Sequence, residues 1–269
     1  MNKNKAESLV EQAIRNFESV LQVEEVDVPV YVFSRTDVKE QREELIRSLN
    51  GVFEPYEDNT LGETITGTEG AAVVLYSFNI MSGDELNYIL THELVHRLFR
   101  DLNPEISRKQ LAGKNDIVVG SGFTFFDEFI ADTVTFRITG KSFYQNNSQQ
   151  ELIRTFWEAL PGTNPEPTMI AMLQRARYQS GLKVNTPELG YYVARITSDP
   201  IITSMMRDNP RMERGFKGCK KEVIDAVEDL IETMVVYLNN AGNIVNAIVI
   251  TEEDLKIIGE LVLTIISLR

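Results

Sequence analysis

An α+β fold, with a small mixed sheet in the first half of the chain and helices in the second, follows from three observations. VDVPVYVFS at 26–34 and AAVVLYS at 71–77 carry the β-branched and aromatic residues of strands. Around them, apolar residues recur at helical spacing. Beyond the polar stretch YQNNSQQ at 144–150, nearly every segment has that helical period. The expected division is a mixed domain over 1–145 and a helical subdomain over 146–269.

Taken in order, residues 6–22 place Leu9, Ala13, Phe17 and Leu21 on one helix face. Pro29 has no N–H to donate, so it suits an edge strand or a strand start. DVKEQREELIRSL at 37–49 reads as an exposed helix. The Gly- and Thr-rich residues 50–70 suggest short strands and turns, and Gly70 bounds the strand that follows. Ser82-Gly83-Asp84-Glu85 is a capping box, so a helix starts near residue 83 and runs to about Arg100, stopped by Asn103-Pro104. Residues 105–123 look irregular, with Gly120-Ser121-Gly122 as a turn. A helix over 124–140 starts on a Thr124-x-x-Asp127 signal and ends at Gly140, with β-branched Thr133, Val134 and Thr135 weakening its end.

Further on, Ser148 to Glu151 and Thr186-Pro187 are helix starts, and Pro161-Gly162 is a stop. Core stripes at helical spacing occupy 221–238 (Val223, Ile224, Val227, Leu230, Ile231, Met234) and 252–268 (Leu255, Ile258, Leu261, Val262, Ile265, Ile266).

The formal charge of −13, from 40 acids against 27 bases, argues against a nucleic-acid partner, which would require clustered Lys and Arg. Composition is that of a soluble protein, 43% hydrophobic and 25% charged. A single cysteine, Cys219, excludes an internal disulfide and reads as an inert thiol. The N-terminal residues lack the apolar run of a signal peptide. The longest uncharged run, Thr233 to Thr251, holds four asparagines and a glycine and makes a poor membrane span. A cytoplasmic protein with no membrane partner is expected.

Both histidines of the chain lie in THELVH, as His92 and His96. One helical turn apart, they project from one face and can grip a single Zn²⁺. Glu93 sits about 100° round the helix, placed to act as general base on a zinc-bound water rather than as a ligand. Leu86, Ile89, Leu90, Leu94, Val95, Leu98 and Phe99 surround this helix, so it is expected to be buried. Burying two histidines and a glutamate demands partners. A metal satisfies all three; two hydrogen-bonded core histidines are the plainer alternative.

With no further histidine, the third ligand should be a carboxylate. FDEFIAD offers Glu128 and Asp132, four apart on one face, 32 residues past His96. Glu128 is expected as third ligand, with Asp127 its rival. Asp132 would then accept from the free ring nitrogen of a ligand histidine.

At these residues the chain resembles the gluzincins, the thermolysin-like zinc peptidases. These pair His-Glu-x-x-His with a downstream Glu-x-x-x-Asp helix, matched here by 92–96 and 128–132. It is also similar to the compact cytoplasmic anti-repressor metallopeptidases. The likeness covers about residues 70–140. Metzincins fit less well, since Phe99 and Leu102 stand where they carry Gly and His. The resemblance implies a zincin-like domain, Zn²⁺, peptide or protein substrates, and a sheet edge at 71–77 that holds an extended peptide. It also implies an oxyanion-stabilising residue, which cannot be histidine here. Tyr178, Tyr191, Tyr192 and Arg177 are candidates, and no motif selects among them. The competing expectation is a non-catalytic interaction protein with a structural metal. Such sites are closed by four protein ligands, whereas three candidates stand out here.

Overall fold

The computed structural model of the chain describes residues 1–23, 27–36, 38–51, 53, 56, 60–140 and 221–267. Among these, seven α-helices and a three-stranded mixed sheet give the expected α+β class. In order they are α1 (Lys3–Leu21), β1 (Val30–Phe33), α2 (Val38–Ser48), β2 (Gly62–Gly67), β3 (Gly70–Tyr76), α3 (Gly83–Leu102), α4 (Pro104–Leu111), α5 (Ile117–Thr139), α6 (Lys221–Ala241) and α7 (Glu252–Ser267), with a 3₁₀ turn at Asn246–Ile248. No helix among the described residues is long and apolar enough to cross a membrane. One compact unit comprises Met1–Pro104 with Ile138–Gly140; Glu105–Arg137 and the described residues of Lys141–Arg269 belong to a second. The sequence suggested a division near residue 145; here the first unit's main segment ends at Pro104.

In the first unit, α1 buries Ala6, Val10, Ala13, Phe17 and Leu21. Leu9 falls off this stripe. The sheet order is β1-β3-β2, with β1 parallel and β2 antiparallel to β3. This corrects the expectation of a sheet edge at 71–77: β3 is the central strand, and Ala71 to Tyr76 are all buried. Its unbroken apolar run, with no polar alternation, is the pattern of a strand covered on both faces. Pro29 precedes β1, which is an edge strand as its proline suggested.

Ala72, Val74 and Tyr76 join Phe33, Ile65 and α2 residues Val38, Leu45 and Ile46 in one core. Far from being exposed all round, α2 therefore buries one face, including Arg42. Arg42 pairs with Glu63 through two bonds, Nε to Oε1 at 2.7 Å and a terminal nitrogen to Oε2 at 2.8 Å. The Tyr76 hydroxyl donates to the same carboxylate. The Glu63 bond holds the Arg42 guanidinium above its ordinary pKa. Burial, and then the Glu63 charge, push the Tyr76 phenol well above its own.

Unfolded tyrosines ionise near pH ~10, so the stabilising contribution of protonated Tyr76 is complete below that pH and is lost as pH rises further. We expect urea stability to fall above pH ~10, and Tyr76→Phe to flatten that fall. A Y76F profile parallel to wild type would refute this origin.

In the second unit, Asp116 caps α5: its Oδ1 accepts from the N–H groups of Val118 and Val119, both at 2.9 Å. The helix thus begins seven residues earlier than the Thr124 signal implied. Thr124 instead bonds back to the Gly120 carbonyl at 3.0 Å. Gly120 and Gly122 lie inside the helix, not in a turn. A Cβ on Gly122 would fall 2.0 Å from the Leu255 carbonyl oxygen of α7, and one on Gly259 would fall 1.9 Å from that of Val118. The two helices meet backbone to backbone. Thr133, Val134 and Thr135 are buried without ending α5, which stops at Thr139. Leu230 and Met234 of α6 and Leu255, Ile258 and Val262 of α7 are buried as their spacing predicts. The Tyr237 ring of α6 packs edge-on against Phe126, centroids 5.3 Å apart. Its hydroxyl donates to the Val249 carbonyl, and burial raises its pKa.

Candidate metal centre

Helix α3 begins as its capping box dictates. Ser82 Oγ accepts from the Glu85 N–H at 3.1 Å, and the Glu85 carboxylate accepts from the Met81 N–H at 2.6 Å. At its end, Asn103 donates to the Phe99 carbonyl at 2.7 Å. The helix between is buried on most sides, as its composition required.

Two adjacent faces of α3 carry the polar groups. Tyr88, His92 and His96, at successive turns, occupy one. The Tyr88 ring stacks on His92, centroids 5.9 Å apart and planes 27° off parallel. The His92 and His96 rings stand nearly perpendicular, at 85°, and their Nε2 atoms lie 3.0 Å apart. One ligand atom each of His92, His96 and Glu128 lie within 4.8 Å of one another. Both histidines are buried and Glu128 is half-buried.

The other face meets β2. A Cβ on Gly62 would stand 2.5 Å from Ile89 Cγ2, so only glycine lets the strand lie this close. Two residues on, Thr64 Oγ1 is 2.8 Å from Glu93 Oε2 and 2.9 Å from the Glu93 carbonyl. Two further on, Thr66 accepts from Arg100 at 2.5 Å. The strand's period of two thus runs along Ile89, Glu93 and Arg100. Glu93 is buried, with its carboxylate bonded to Thr64 on the β2 side.

The donor set suits zinc. Two nitrogens bound tetrahedrally at 2.0–2.1 Å would stand roughly 3.3 Å apart, close to the separation between the two Nε2 atoms. Two imidazoles and one carboxylate are the three protein ligands of an open catalytic site.

Of the residues singled out from sequence, His92, His96 and Glu128 come together, with Glu93 on the adjoining face. Asp132, one turn along α5 from Glu128, is buried, and so is Asp127. Tyr178, Tyr191, Tyr192, Arg177 and Cys219 lie outside the described residues. Thr64 is not among the residues singled out from sequence. Its one available signal was the Gly62-x-Thr64-x-Thr66 alternation, which marks a strand face without naming its neighbour. Compared with protein-family models, curated proteins and solved structures, the chain matches none.

Proposed function

We propose that the chain is a zinc-dependent peptidase with a zincin-like domain over residues 1–145. The observation that carries this reading is the 3.0 Å approach of the His92 and His96 Nε2 atoms with a Glu128 ligand atom beside them. His92, His96 and Glu128 would hold the ion, and Asp132 would orient one ligand imidazole through its second nitrogen. Zinc held there supplies a Lewis acid that activates water and polarises a carbonyl. Glu93 takes the proton from the attacking water and returns it to the leaving amine.

An extended peptide would bind to β2 rather than to the central strand. The Tyr76 N–H donates to the Leu61 carbonyl. With the Glu63↔Val74 register, that bond turns the N–H and C=O groups of Gly62, Thr64 and Thr66 away from β3. Thr64 therefore presents its backbone to the outer edge and its side chain to Glu93.

Metal analysis tests the reading. The purified chain is expected to hold one zinc, and His96→Ala to lose it, with zinc affinity down by at least about 100-fold. A zinc-free wild type, or an H96A variant with unaltered zinc content, sinks the proposal. Stoichiometric zinc with no cleavage of any peptide in a degenerate library would favour a structural metal.

A further inference from the structure

We propose that Thr64 is a positioning residue for the general base, holding the Glu93 carboxyl in one orientation. The inference rests on the peptidase reading above.

The Thr64 hydroxyl has one proton and two neighbours that accept, Glu93 Oε2 at 2.8 Å and the Glu93 carbonyl at 2.9 Å. While Glu93 is ionised, the hydroxyl donates to Oε2. That bond occupies Oε2 and leaves Oε1 as the oxygen that takes the proton from water and returns it to the leaving amine.

The hydroxyl is itself well anchored. Thr64 is β-branched and stiff at χ1. The strand carrying it is fixed to α3 on either side, by Gly62 against Ile89 and by Thr66 with Arg100. Because the Thr64 backbone faces the outer edge of β2, a peptide that pairs there also settles the residue that orients the base. Substrate docking and base alignment are joined in one residue.

The test uses Thr64→Val, which keeps shape and strand preference, and Thr64→Ser, which keeps the hydroxyl. All three zinc-loaded proteins are expected to hold equal zinc and to share KM. We expect kcat to fall roughly 30-fold in T64V and to recover to within about 3-fold of wild type in T64S. Wild-type kcat in T64V, zinc loss as the cause of its defect, or failure of serine to rescue would each overturn the proposal.

Crystal structures of the same proteins give a readout independent of turnover. A single Glu93 carboxylate orientation is expected in wild type and T64S, and a rotated or divided one in T64V. Should wild type cleave no peptide, the peptidase reading fails on its own. An unmoved carboxylate in T64V would still refute the positioning role.

Discussion

Glu93→Gln is expected to lower kcat/KM for peptide hydrolysis by about 10²–10⁴-fold while leaving one zinc per chain. Glutamine matches glutamate in size, so the buried position between α3 and β2 is filled as before. Its amide oxygen can still accept from Thr64. It cannot accept a proton from water at neutral pH, so the loss falls on the proton transfer alone. His92, His96 and Glu128 are untouched, which is why metal content should not follow activity. Peptide cleavage measured beside metal analysis on the same preparation separates the two. Activity within about 10-fold of wild type would transfer the base role to another group.

Gly122→Ala is expected to destabilise the chain by about 3 kcal/mol, against its local preference. Alanine favours a helix interior over glycine by up to ~1 kcal/mol, so propensity alone predicts a gain. Packing opposes it. The new methyl would sit 2.0 Å from the Leu255 carbonyl oxygen and 3.1 Å from the Gly259 nitrogen. Both are backbone atoms of α7, which cannot turn aside as a side chain would. The helices must separate where they cross. Gly259→Ala should behave alike, because its methyl would meet the Val118 carbonyl oxygen from the other side. Urea midpoints of the two variants check this. A raised midpoint in either would mean that propensity outweighs the close approach.

What could be read from the sequence was what depends on neighbours a few residues apart. The α3 cap at Ser82, the stop at Asn103-Pro104 and the stripes of α6 and α7 are local patterns, and they fell close to their expected places. The pairing of His92 with His96 is local too, since one helical turn suffices. Strand order is not local. β3 pairs on one side with residues 43 positions earlier, Val73 with Val30, and nothing in AAVVLYS alone says whether it lies at an edge or in the middle. Gly120 and Gly122 misled for a related reason: a glycine chosen for a close helix contact resembles one chosen for a turn until its partner is known. Arg42 was hidden by the charges around it, because its pairing with Glu63 joins α2 to a strand that the helical period cannot show. Thr64 likewise gains meaning only once β2 is laid along α3.

An edge open to a peptide is equally open to another copy of itself. β2 carries features that natural sheets use against self-association. It is only six residues long. Its charged residue, Glu63, turns inward to Arg42 instead of leaving an apolar face. Gly51 bridges Gly67 and closes one end of the strand. Among the described residues, the open stretch narrows to Gly62 and Thr64, little more than one pairing repeat. So short a template gives a second β2 too few backbone bonds to polymerise. A ligand that adds side-chain contacts to those same few bonds is under no such limit, and the strand can stay receptive without being adhesive.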